Sequence, residues 1–178
     1  TIIAMDGKIK KINMKHDSLL SAGVYPAWHP HLNLIAYSTN HTMQNFHTRD
    51  KNKVEVFDTD SDIILFDTEN NTVMPVSRLK DEMESFPSWS PDGKWLYYCS
   101  AKIEFSDSIG KEYDANTRYK DIKYSIYRKA FNEKDMTFGE AELIWDATAN
   151  NKRATLPRIS PCGNYLVYAQ GAYGCFHV

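Results

Sequence analysis

Six histidines are the residues best equipped for chemistry in this 178-residue chain, since neutral imidazole ligates metals and moves protons near pH 7. Their spacing works against a metal centre. His29 and His31 flank Pro30 in a turn, whereas His41 and His47 follow the apolar segment around Leu34 to Tyr37. A strand of about six residues holds its two ends ~20 Å apart, so the pairs end on opposite faces. Neither pair alone reaches the three protein ligands that a zinc site requires. No metal and no cofactor is expected. Asp58, Asp60 and Asp62 alternate as a calcium loop begins, but Ile63 and Ile64 stand where such a loop needs glycine. That triplet reads as a solvated approach to a strand.

Nucleophiles fare no better. Cys99, Cys162 and Cys175 lack CxxC spacing, and Cys99, inside an apolar run, reads as a small core residue. There is no Gly-x-Ser-x-Gly elbow, P-loop, GxGxxG or HExxH motif, so no catalytic residue is assigned. Lysine and arginine number 21 against 23 acidic residues, a net charge of -2. Such a balance creates no field for nucleic acid. No apolar run approaches the ~20 residues of a membrane span, so no membrane insertion is expected. The chain opens on Thr1 and reads as a mature form or an excised piece.

The elements that position these residues come from a repeat. Tyr25-Pro26-Ala27-Trp28-His29-Pro30 leads into Leu34-Ile35-Ala36-Tyr37-Ser38, Phe86-Pro87-Ser88-Trp89-Ser90-Pro91-Asp92-Gly93 into Leu96-Tyr97-Tyr98-Cys99, and Leu156-Pro157-Arg158-Ile159-Ser160-Pro161-Cys162-Gly163 into Leu166-Val167-Tyr168. Each copy reads as a hairpin. A short strand such as Pro87-Ser88-Trp89 opens on proline, which need not donate there. A tight turn follows, in which proline presets φ and Gly93 or Gly163 supplies φ > 0. In the first copy Leu32 replaces that glycine, and Asn33 is expected to take the left-handed position instead. The next strand, 94–100, is apolar on both sides: Leu96 and Tyr98 face one way, Trp95, Tyr97 and Cys99 the other. A strand buried on both faces lies within stacked sheets.

Third strands are expected at 62–68 and 124–129, and fourth strands at 73–76 and 142–145. Residues 2–5 and 9–14 make a last pair of the same kind around the Asp6-Gly7 turn. Labelling the strands of a repeat A to D gives C and D at 1–14, whole units at 25–76 and 86–145, and A and B at 156–178. The total is about twelve strands in one domain, an all-β array of antiparallel four-stranded propeller blades that does not close a ring within this chain.

The repeat resembles the WD-like β-propeller repeat of the TolB family, whose hallmark is Pro-x-Trp-Ser-Pro-Asp-Gly before an apolar strand. Residues 86–100 match it almost completely. The third copy carries Ile159 for Trp and Cys162 for Asp, and the first carries His29 for Ser and His31 for Asp. The resemblance implies protein–protein contact in a bacterial periplasmic or envelope setting.

The repeats are longer than the ~40 residues usual for such blades, and the surplus falls between strands B and C, at 39–61 and 101–121. Both inserts leave the same rim as the D–A connections 77–85 and 146–155, and long loops of this kind commonly carry function. Candidate partner-binding residues are His41, Phe46, His47 and Arg49 in the first insert and Phe105, Tyr113, Arg118 and Tyr119 in the second. Aromatic residues and arginine are the types that anchor interfaces. The sequence therefore reads as a non-catalytic scaffold for a protein partner, with a second copy able to complete a ring of about six blades. The alternative is the propeller part of a carbohydrate-active lyase, or of a prolyl-peptidase-like hydrolase whose catalytic domain lies outside this chain.

Overall fold

Residue-type alternation decides the architecture, because a strand that is apolar on both sides needs a neighbour on each. The computed structural model describes residues 1–11, 22–40, 45–49, 53–57, 61–77, 82–102 and 122–172. Within them lie two four-stranded antiparallel sheets and three two-stranded ones. Blade I is β3 (Ala22–Trp28), β4 (Leu34–Asn40), β7 (Ser61–Asp67) and β8 (Thr72–Ser77), in that spatial order. Blade II is β9 (Glu82–Trp89), β10 (Trp95–Lys102), β11 (Ser125–Asn132) and β12 (Thr137–Trp145), also in chain order. These are strands A to D of each repeat. A hairpin of β1 (Ile2–Ile3) and β2 (Ile9–Lys10) precedes blade I, and a hairpin of β13 (Arg153–Ile159) and β14 (Leu166–Gly171) follows blade II.

The apolar cores lie between sheets. Leu34, Ala36, Ile63, Leu65 and Val76 of blade I meet Trp89, Leu96, Tyr98 and Phe131 of blade II in one cluster. On the far face of blade I, Ile35, Tyr37, Ile64 and Phe66 pack with Ile2 of the first hairpin. On the far face of blade II, Met83, Cys99, Ile122 and Ile126 pack with Ala154, Leu166 and Tyr168 of the last one. The period-two alternation along β4 and β10 thus divides each strand between two seams. Trp95 and Tyr97 stay only half-buried, leaving part of that face open. Arg128 occupies the open part, its guanidinium carbon 3.8 Å from the Trp95 ring centroid and its side chain paired with Glu142 at 2.8 Å.

Strand A is longer than the motif suggested. It begins at Glu82 in blade II, ahead of Phe86-Pro87, so the D–A connection shrinks from 77–85 to the residues between Ser77 and Glu82. Likewise β13 starts at Arg153, and a single 3-10 turn over Thr148–Asn150 fills the connection before it. The reason is a bulge. In β3, β9 and β13 the register slips by one residue at Tyr25-Pro26, Phe86-Pro87 and Leu156-Pro157. Tyr25, Phe86 and Leu156 have φ of 53, 58 and 54°, a left-handed conformation that costs an L-residue roughly 1–2 kcal/mol. The bulge interrupts the alternation and conceals the first half of each strand.

The A–B turns close as expected in blade II and the last hairpin, with Gly93 at φ 73° and Gly163 at φ 76°. The first turn corrects the reading of Asn33, which is not among the residues with positive φ. A different group replaces the left-handed step there, as described below. The first insert also departs from a bare loop: β5 (Asn45–Arg49) and β6 (Lys53–Phe57) pair as a separate antiparallel sheet.

Candidate functional site

Two rims flank the stacked sheets. The insert rim is formed by the ends of β4, β8 and β10 and the starts of β7, β9 and β11. Above the apolar seam between blades I and II the buried residues become polar. Ser38 Oγ and Ser85 Oγ lie 3.4 Å apart across the seam, and Ser77 Oγ donates to Glu84 Oε1 at 2.5 Å. Glu84 is fully buried, and its Oε2 has no hydrogen-bond partner among the described residues. Burial pushes this carboxyl up to about 7, with the carboxylates of Asp62 and Glu82 adding to the rise and the Ser77 hydroxyl and Lys129 opposing it. Glu82 Oε2 accepts from Ser100 Oγ at 2.8 Å, and Lys129 Nζ donates to the Val76 carbonyl at 3.3 Å.

Beside this layer a cavity of about 240 Å³ opens between Ser100, Lys102, Lys123, Ser125, Asp146 and Thr148. Lys123 Nζ donates to Asn151 Oδ1 at 2.5 Å. Asp146 accepts from the Thr148 hydroxyl at 2.6 Å and the Thr148 amide at 2.9 Å. Those donors, the hydroxyl foremost, hold its carboxyl below the usual range. The rim can therefore offer charge of both signs and hydroxyls to a partner. Among the described residues no three histidine, cysteine or acidic side chains gather as a metal site.

The predicted contact residues divide between described and undescribed segments. Phe46, His47 and Arg49 lie on β5, in register with Val56, Glu55 and Lys53 of β6. His41, Phe105, Tyr113, Arg118 and Tyr119 lie outside the described residues. Sequence reasoning missed Glu82 and Glu84 as members of a strand. The bulge that follows them removes the alternation by which they would have been found.

The opposite rim carries the A–B turns, and here the repeat motif shows its purpose. Ser90 Oγ accepts the Trp95 amide at 3.0 Å and donates to Asp92 Oδ1 at 2.6 Å. Ser160 Oγ accepts the Tyr165 amide in the same way at 3.0 Å. Trp89 is buried while its counterpart Trp28 is 50% exposed. Pro26, Trp28 and Pro30 of blade I, Trp89 and Pro91 of blade II, and Arg158 of β13 border a cavity of about 330 Å³ on this side. Pro157 is buried and Pro161 exposed.

No family model matches the chain, and no curated protein matches it. Among solved structures it is similar to the crystal structure of TolB from Acinetobacter baumannii, with a TM-score of 0.41 and 16% sequence identity. The match covers 88% of this chain and 39% of that one, so the chain spans about two fifths of that protein's length.

Proposed function

We propose that this chain is a non-catalytic propeller scaffold that binds a protein partner through the rim from which both B–C inserts emerge. One observation carries the reading. The first insert leaves β4 at Asn40, returns to β7 at Ser61, and in between builds a hairpin with its own hydrogen-bonded ladder, separate from the sheet of blade I. Blade I keeps full B–C register from Leu34↔Asp67 to Asn40↔Ser61 despite the insertion. An appendage that leaves its base undisturbed is suited to recognition, because its sequence is free to vary without cost to packing. Glu82 and Lys129, both only partly buried on this side, add charge of both signs. The setting that fits this role, on the resemblance of the repeat, is a bacterial envelope.

The test replaces residues 41–60 by a short turn and compares partner capture from envelope extract with that of the unaltered chain, after circular dichroism has shown the sheets intact. The captured partner is then purified and its Kd measured against both proteins. A loss of at least tenfold supports the reading, and unchanged affinity overturns it. A companion proposal, that a second copy supplies β1–β2 to the edge of β14 that is unpaired among the described residues, is read from mass in solution. A monomer at micromolar concentration rejects it.

A further inference from the structure

His29 occupies the place that serine holds in the other two A–B turns, and it makes contacts that serine cannot. Its side chain is fully buried. Nδ1 accepts the amide of His31 at 3.2 Å and that of Leu32 at 3.0 Å. Those bonds replace the glycine step of the other turns, in which the Gly93 and Gly163 amides bond to the carbonyls of Ser90 and Ser160. Nε2 reaches into the next blade, 3.1 Å from the carbonyl oxygen of Gly93. The ring is wedged edge-on against Trp89 and Phe131, with centroids 4.6 and 5.7 Å away. A Cβ on Gly93 would lie 2.5 Å from two of its atoms. One imidazole therefore closes the blade I turn and pins it to the blade II turn.

The donor pattern specifies the protonation state. Nδ1 receives two N–H groups and must carry a lone pair, so the proton sits on Nε2 and is donated to Gly93. An imidazolium has no acceptor, and protonating Nδ1 would set it against both amides. We propose that His29 is a cross-blade latch which only the neutral Nε2–H imidazole can close, so that protonation of the ring opens the seam between blades I and II at this rim.

The surrounding charges do not reverse this. Glu133, from the turn between β11 and β12, places Oε1 3.6 Å from Nε2 and favours the cation, as does the Gly93 carbonyl. His31, on the same turn as His29, opposes it. Asp92 and Lys94 flank Gly93, with the Asp92 carboxylate engaged by the Ser90 hydroxyl and the Lys94 amide. From β9 and β11 the ring meets only the uncharged Trp89 and Phe131. Burial is the largest influence and draws the ring below its ordinary range.

The experiment uses the unaltered protein with ¹⁵N-labelled histidine. Ring nitrogen shifts at pH 7.5 are expected to report a neutral Nε2–H tautomer. If the closed latch refuses a proton that the open one takes near pH 6.5, local opening grows about tenfold between pH 7.5 and pH 5.5. Hydrogen exchange at His31 and Leu32, corrected for intrinsic rates, is expected to rise by that factor while Gly163, whose amide bonds within its own turn, stays level. A neutral Nδ1–H tautomer, or exchange at these amides that tracks Gly163, overturns the proposal. In His29→Asn an oxygen can still accept the turn amides but cannot titrate or reach Gly93, so the pH response is expected to vanish. Its persistence in that variant also overturns the proposal, and the labelled native protein decides the matter should the variant not fold.

Discussion

Tyr25 and Phe86 hold the same left-handed backbone, φ 53° and 58°, and bring their rings to a centroid distance of 4.6 Å across the seam between blades. Phe86 in turn lies 6.3 Å from Tyr124. The strained steps in β3 and β9 thus bring two aromatic rings together across the seam, and the third, in β13, carries Leu156 instead. The conformational cost of about 1–2 kcal/mol per residue is offset by aromatic contacts of about 0.5–1.5 kcal/mol in addition to area burial.

This relationship inverts the usual order of two truncations. Phe86→Ala loses the ring and keeps the strained φ, whereas Phe86→Gly loses the ring and relieves it. Chemical denaturation is expected to show the glycine variant more stable than the alanine variant by about 0.5–1 kcal/mol. At Leu96, in ordinary β conformation and fully buried, alanine is expected to be the less damaging of the two, at a cost of about 2–5 kcal/mol.

Gly93 and Gly163 share a conformation but not an environment. Nothing lies within 4 Å of a Cβ built on Gly163, whereas one on Gly93 strikes the His29 ring at 2.5 Å. Gly163→Ala is expected to cost only the left-handed penalty, about 1 kcal/mol. Gly93→Ala adds displacement of the His29 ring and is expected to cost about 3 kcal/mol or more. Equal denaturation midpoints would show that the ring does not seat on Gly93.

Glu84 and His29 impart opposite pH dependences to the same seam. The Glu84 carboxyl, ordinarily near 4.5, is raised to about 7, so between those values the folded state binds more protons and stability falls as pH rises. His29 is lowered, so the unfolded state binds more protons below about pH 6.5 and stability falls as pH drops. Glu84→Gln keeps an acceptor for Ser77 and removes the first effect. It is expected to stabilise the protein by about 1–3 kcal/mol at pH 8 and to change little at pH 4.5. Urea titrations at the two pH values check this.

The described thiols differ as sharply. Cys99 is fully buried and burial pushes its thiol up. Cys162, in the position that Asp92 holds in blade II, is exposed, and its thiol is lowered chiefly by the Ser160 hydroxyl, 3.2 Å away. Iodoacetamide at neutral pH is expected to label Cys162 in the folded protein, and Cys99 only after unfolding. Mass spectrometry of the labelled peptides reads the order, and prompt labelling of Cys99 would contradict the buried seam.

Much of the architecture was legible because local signals and global packing agree. Proline and glycine mark the turns, and the alternation of Leu96 and Tyr98 with Cys99 announces a strand with two buried faces. The rest was hidden for identifiable reasons. Glu84 reads as a loop residue until its partner Ser77 and the bulge at Phe86 are seen. The pair β5–β6 was announced only by Val54 and Val56 alternating with charge in a stretch lacking an Asn-Gly or Asp-Gly turn. His29 reads as no more than a turn residue because its decisive partner, Gly93, lies 64 positions away.

Each of the three apolar clusters belongs to a gap between sheets rather than to one sheet. The grain of the molecule therefore runs crosswise. Each gap is a packing unit of its own, and a defect in one leaves the next with its full complement of contacts.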